Sequence, residues 1–144
     1  MENQTEVALL NEKKKDFLKS YQRAVRREKE ILEEIQRLRL DKMFPSAVCG
    51  DGMPRGSSQT DLSDYMVLMD EQIELLKQER LERANIQRKI EKQIRAMEDD
   101  DEQHVLRLRY IKGLKWEAVA VEMGYSWKQT HRIHSSALSN FKMT

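Results

Sequence analysis

The sequence is poor in residues that break regular structure, with five glycines and two prolines in 144 residues. Three of those glycines (Gly50, Gly52, Gly56) and both prolines (Pro45, Pro54) fall between residues 45 and 56. Breakers gathered in one place leave long uninterrupted stretches on either side. Cysteine is limited to Cys49. One thiol excludes an intramolecular disulfide and a cysteine-built zinc site. Aromatics make up only 6%. No apolar run approaches the roughly 18 residues that a membrane span needs. The start, Met1 to Glu6, lacks the basic and apolar segments of a signal peptide. The expectation is a cytoplasmic protein without a membrane partner.

Charge is what the chain has in quantity, at 35% of residues and of both signs. Long solvated helices carry charge in this way, and the apolar periodicity argues against disorder. The net charge is +1, so the whole molecule carries no nucleic-acid signal and must be read by segment. Residues 103–144 carry +5, whereas Glu98-Asp99-Asp100-Asp101-Glu102 carries −5.

The spacing predicts an all-α fold. A first helix is expected over about 7–42, with a heptad seam of Phe17, Tyr21, Ala24, Ile31, Ile35 and Leu38 and with Glu28 at the skipped position. A second is expected over about 62–97. Leu62, Met66, Met69, Ile73 and Leu76 form its seam, which resumes at Ile90, Ile94 and Met97 after the polar Arg80, Arg83 and Gln87. Asp61 is its expected N-cap. A helix with one apolar stripe must bury it. The loop 43–61 allows an antiparallel hairpin or coiled coil within residues 1–97, and the same seams suit a homodimer. The basic triplets Lys13-Lys14-Lys15 and Arg23, Arg26, Arg27 are interleaved with acids and read as solvated faces. The acidic run reads as a solvated turn at a helix boundary, because negative charge opposes the end of one helix and favours the start of the next.

Residues 98–144 read as a separate domain of three short helices. The first runs from about Gln103 to Lys112, with Val105, Leu108 and Ile111 inward and Gly113 after its end. The second runs from Trp116 to Met123, with Trp116, Val119, Ala120 and Met123 on one face and Gly124 after its end. Ala120 is expected where it approaches the next helix most closely. Ser126 with Gln129 three residues on forms a capping box for the third helix, 127–141. Thr130, Ile133, Ala137, Leu138 and Phe141 point inward; Lys128, Gln129, His131, Arg132 and Ser135 point outward. Two short helices joined by a glycine turn, with the second basic outside, is the helix-turn-helix arrangement. Its second helix enters the major groove of double-stranded DNA. Arg132 and Lys128 suit guanine O6 and N7, and Gln129 suits adenine N6 and N7.

The run Leu106-Arg107-Leu108-Arg109-Tyr110-Ile111-Lys112-Gly113-Leu114-Lys115-Trp116-Glu117-Ala118-Val119-Ala120, then Met123-Gly124-Tyr125-Ser126 and Ala137-Leu138, resembles region four of bacterial sigma factors. The resemblance covers about the last forty residues. It implies DNA reading by Trp127, Lys128, Gln129, His131 and Arg132, and a surface that also meets RNA polymerase; Ser135, on the same outward face, is expected at the DNA with them. The chain departs from that pattern at Lys115, where a capping Thr or Ser is usual, and at Thr130, where an apolar residue is usual. Trp127 is unusual at a reading position; it either stacks on sugar or a thymine methyl or packs on the second helix. The chain further resembles small phage and prophage proteins with a Met-Pro-x-Gly loop, here Met53-Pro54-Arg55-Gly56, followed by Asp61-Leu62-Ser63-Asp64-Tyr65. Some of those look like activators of phage late genes.

No Ser/His/Asp constellation, phosphate-cradling glycine loop or paired-carboxylate site stands out, so an enzyme is not expected. His131 and His134 have metal-compatible spacing but lack a third ligand, so neither metal nor cofactor is expected. His134 reads as a surface residue. The leading expectation is a phage-type transcriptional regulator; the alternatives are an RNA-polymerase-binding adaptor and a small-terminase-like DNA-packaging protein.

Overall fold

The computed structural model describes residues 2–43 and 58–143. Cys49 and the Met53-Pro54-Arg55-Gly56 motif lie outside the described residues. The fold is all-α, and no strand is present among the described residues. Helix α1 spans Glu2–Met43 and α2 spans Ser58–Arg95. Short helices follow: α3 over Asp100–Leu106, α4 over Trp116–Met123 and α5 over Trp127–Asn140. Between α3 and α4 the chain makes a π-helical turn, Arg107–Ile111. No described helix is long and apolar enough to cross a membrane.

Helix α2 begins at Ser58, so Asp61 lies inside its first turn and is not its N-cap. The sequence Ser58-Gln59-Thr60 holds no glycine or proline to stop the helix there.

The chain forms two compact units. One is Val25–Glu82. Here the second part of α1 and the first part of α2 run antiparallel within one chain. Arg27 pairs with Glu79 at 3.1 Å and Glu82 at 3.8 Å, Arg80 with Glu28 at 3.1 Å, and Lys42 sits 4.4 Å from the centre of the Tyr65 ring. Partner numbers fall on α2 as they rise on α1, which fixes the antiparallel sense. Ile35 and Leu76 are buried. Leu62 and Met66, expected on the seam, are exposed. Heptad spacing places a residue on a stripe, but the stripe is covered only where the partner helix lies over it.

The other unit joins Met1–Ala24 to Arg83–Thr144. Its core gathers Leu18, Tyr21 and Ala24 from α1 and Ile90 and Ile94 from α2. Val105, Leu106, Leu108, Val119, Ala120, Ala137, Leu138 and Phe141 complete it. The Phe17 and Phe141 rings lie 6.2 Å apart. The acidic run divides its work. Asp99 caps α3 by accepting from the Glu102 amide at 2.9 Å, as the dipole argument requires. Glu102 departs from the solvated turn expected of the run. It is buried, accepting from Asn140 at 2.9 Å and from the Ser136 hydroxyl. A buried carboxylate is tolerable only when donors satisfy it, and α5 supplies them.

Candidate nucleic-acid interface

The C-terminal helices owe their boundaries to a few residues. Gly113 and Gly124 both adopt positive φ, at 70° and 73°. Gly124 closes α4, its amide donating to the carbonyls of Ala120 at 3.0 Å and Val121 at 3.2 Å. These are the orphan carbonyls of a helix end, and a residue with a Cβ would be strained there. Lys115 precedes α4 without a side-chain cap bond, as its departure from Thr or Ser anticipates. Ser126 caps α5, its hydroxyl accepting from the Gln129 amide at 3.1 Å. Only this half of the capping box forms among the described residues. Thr130, at the usually apolar position, is fully buried, and its hydroxyl donates back to the Ser126 carbonyl at 2.8 Å. The hydroxyl is therefore no burden on the core.

Helix α5 presents two faces. Thr130, His134, Ala137 and Leu138 are buried. Lys128, Arg132 and Ser135, spaced four and three apart, are exposed on one outward face. Neither Lys128 nor Arg132 makes a hydrogen bond or ion pair among the described residues. Gln129 and His131 are half-buried. Of the expected reading residues, then, Trp127, Lys128, Arg132 and Ser135 stand fully at the surface.

Trp127 is 57% exposed. Its ring lies 3.8 Å from the His131 ring, which lies 4.3 Å from Trp116. The Arg109 guanidinium stands 4.7 Å from the Trp116 centroid. The Trp127 ring thus meets α4 through His131 and keeps an open side. Trp116 also meets His134 edge-on at 4.6 Å.

His134 corrects the expectation of a surface residue. It is 6% exposed, and its Nε2 lies 2.7 Å from the Tyr110 hydroxyl. Burial, with Lys15, His131, Arg109 and Lys19 adding repulsion, pulls its pKa down to about 4. Burial likewise pushes Tyr110 up to about 12, against a smaller opposing effect of Arg109. The neutral pair is a satisfied core contact. Its local spacing resembled a surface position because the partner lies 24 residues away, on the π turn.

Two residues of α1 fix the C-terminal helices and were not singled out by sequence reasoning. Lys14 belongs to a triplet read as solvated, yet it is buried and its Nζ donates to the Leu138 carbonyl at 2.7 Å and Ser139 at 3.4 Å. It places an ammonium on the carbonyl end of α5, where the dipole favours a cation; burial lowers its pKa. Gln22 donates to the carbonyls of Tyr110 at 3.0 Å and Ile111 at 2.9 Å, at the end of the π turn. Lys14, Leu18 and Gln22 are spaced by four, so a stripe beside the heptad seam was the available signal. Arg109 donates to the Leu114 carbonyl at 2.9 Å, which holds its guanidinium beside Trp116.

The site's chemistry is that of cationic and hydrogen-bond donors. Among the described residues no group of three or more His, Cys, Asp or Glu is placed to hold a metal ion. The family described as "Protein of unknown function (DUF1492)" matches residues 44–142, and the chain belongs to it. No curated protein and no solved structure is detectably similar to the chain.

Proposed function

We propose that this member of the DUF1492 family is a sequence-specific, double-stranded-DNA-binding transcriptional regulator of the phage or prophage type, acting in the cytoplasm, with α5 as its recognition helix. One observation carries the reading: Lys128 and Arg132 stand exposed and unpaired among the described residues, one turn apart on a capped helix whose opposite face is buried. Cations held ready on a fixed helix suit phosphates and guanine edges. The +5 charge of residues 103–144 supports the same reading. Trp127, with an open ring face at the start of α5, suits contact with sugar or a thymine methyl. The sigma-like pattern of residues 106–138 adds a family analogy, and RNA polymerase is the second partner that analogy suggests. Leu62, Met66 and Leu68, left exposed by the pairing within one chain, support a homodimer through the helical half.

Duplex binding followed by fluorescence anisotropy at several salt concentrations tests the reading. The expected result is a steep fall of log K with log salt, reduced in Lys128→Ala/Arg132→Ala. Each lost base contact should weaken specific binding by about 1–3 kcal/mol. Absence of binding at low salt, or binding that ignores the double variant, overturns it in favour of the polymerase adaptor. Light scattering on the same samples reads the oligomer. A two-chain mass is expected, and a ring of eight or more chains would favour the packaging reading instead.

A further inference from the structure

Beside the outward face of α5 lies an open recess of about 270 Å³ whose lining includes neither Lys128 nor Arg132. Lys15 and Lys19 of α1, Arg109 of the π turn, and His131 and Ser135 of α5 line it. No acidic side chain is in its lining. The nearest acid in direct contact is Glu12, 3.3 Å from the Lys15 ammonium and largely exposed. Lys19 makes no hydrogen bond or ion pair among the described residues. His131 Nε2 is buried and has no hydrogen-bond partner.

The recess is assembled with some care. Lys14, docked on the α5 carbonyl end, seats the segment of α1 that carries Lys15 and Lys19. These two are one helical turn apart and share a face. The π turn brings Arg109 and the adjacent Tyr110 to the same recess, and such turns are frequent at functional sites. Three cations and an orphaned ring nitrogen, facing no acid within the lining, make a site for a tetrahedral oxyanion. The depressed pKa of His134 has Lys15, Arg109 and Lys19 among its causes, which is the electrostatic mark of the same cluster.

We propose that this recess is a phosphoryl-binding site, and that a backbone phosphate of duplex DNA occupies it when α5 lies in the major groove. The inference rests on the DNA-binding reading above and adds α1 to the interface. Geometry supports that source. Ser135 lies seven residues beyond Lys128, about 10 Å along the helix at 1.5 Å per residue. The major groove is about 12 Å wide, so a helix with Lys128 at base edges brings the level of Ser135 to the flanking phosphates.

The test compares full-length wild type, Lys15→Gln/Lys19→Gln and Lys128→Ala/Arg132→Ala in duplex binding across salt, with inorganic phosphate titrated into each while Trp fluorescence is read. Thermal melts confirm folding of the variants, since Lys15 and Lys19 support no buried contact. Losing one phosphate contact should lower the salt slope by about 0.9 and weaken binding roughly tenfold near 0.1 M salt. The Lys15/Lys19 variant should show that loss equally on specific and random duplexes, whereas Lys128→Ala/Arg132→Ala lowers the preference between them. Inorganic phosphate should bind weakly to wild type and to Lys128→Ala/Arg132→Ala, and not to Lys15→Gln/Lys19→Gln. If wild type binds DNA through Lys128 and Arg132 while Lys15→Gln/Lys19→Gln keeps the full slope, the phosphate site is overturned and the DNA-binding reading stands. If no duplex binds but phosphate does so through Lys15 and Lys19, the phosphoryl site stands with a free phosphorylated ligand as its source, and the DNA-binding reading falls. If neither binds, both are overturned.

Discussion

The unit Val25–Glu82 and the unit built on α3 to α5 solve different problems with the same helical material. In the first, Ile35 and Leu76 are the buried apolar side chains among the described residues, and cross-helix pairs such as Arg27 with Glu79 lie at the surface. In the second, Leu18, Ile90, Ile94, Leu106, Leu108, Val119 and Phe141 are fully enclosed. The buried polar side chains Lys14, Glu102, Tyr110 and His134 each find a partner there: Lys14 the Leu138 carbonyl, Glu102 Asn140, and Tyr110 His134. Two helices side by side can shelter only a stripe, whereas five segments around a centre can enclose side chains entirely. Helix α5, carried by the enclosed unit, is packed along its whole inner face, which limits how far its exposed Lys128 and Arg132 can shift with the backbone.

The largest test of that contrast is truncation of its two cores. Phe141→Ala should destabilise the C-terminal unit by about 3–5 kcal/mol, and Ile35→Ala should sit at the low end of the ~2–5 kcal/mol range for such changes. Amide hydrogen exchange resolves the two units separately, and protection should collapse around α3 and α5 in the first variant only. Equal losses in both variants would erase the distinction between an enclosed core and a sheltered stripe.

Next in size is a pH effect confined to the enclosed unit. His134 titrates near 6.5 in an unfolded chain and at about 4 when folded. Its folded pKa is depressed, so its contribution is complete above pH 6.5 and is lost as pH falls toward 4, where the unfolded chain binds the proton first. At about 1.4 kcal/mol per pH unit of displacement, the loss is on the order of 3 kcal/mol. His134→Gln keeps a hydrogen-bonding partner for Tyr110 but cannot titrate. Stability of the two proteins measured from pH 7 to 4 should converge as pH falls; parallel curves would mean that folding leaves the pKa of His134 unshifted.

How much of this was legible in the sequence follows the range of each interaction. Residues near in sequence announced themselves. Gly124 and Ser126 bracket the turn, Ser126 caps Gln129, and Trp116–Met123 is the helix that the Val119 and Ala120 spacing requires. The long helices follow from periodicity and from breakers gathered between 45 and 56. What was hidden joins distant residues. Lys14 meets Leu138 across 124 positions, Gln22 meets Tyr110 across 88, and Glu102 meets Asn140 across 38. Charged and polar residues at such positions look solvated until the partner element arrives. The π turn was hidden for a related reason: Arg107–Ile111 has an ordinary helical composition, and its wider ladder, with Lys112 donating to Arg107 at 2.9 Å, suits the packing of Leu108 and Tyr110. The recess was hidden because its lysines and its arginine come from opposite ends of the chain.

The two left-handed glycines sharpen the comparison within the C-terminal unit. A Cβ at Gly124 would meet nothing within 4 Å, whereas one at Gly113 would lie 3.0 Å from the Gln22 side chain. Gly124→Ala should therefore cost the backbone strain alone, about 1–2 kcal/mol. Gly113→Ala should cost the same strain plus disturbance of the Gln22 bonds to Tyr110 and Ile111. Urea denaturation of the two variants and of Gln22→Ala checks this. Equal costs for both glycine variants would mean that Gln22 swings aside freely and does not clamp the π turn.

The smallest effect belongs to the surface pairs of Val25–Glu82. Arg27 reaches both Glu79 and Glu82, but it is itself about two-fifths exposed, with its charge open to water. Such pairs contribute about 0–1 kcal/mol and weaken as salt screens them. Arg27→Gln should therefore lower hydrogen-exchange protection in α1 and α2 near residues 27 and 79 only slightly, and the difference from wild type should shrink between low and high salt. The direction of the salt effect separates two accounts of the hairpin. If Arg27→Gln costs well above 1 kcal/mol and the cost disappears in salt, then charge holds α1 against α2, and the seam of Ile31, Ile35 and Leu76 only sets register. If the cost is small at every salt concentration, the partly buried seam holds the hairpin, and the charged faces serve chiefly to keep two long helices in water.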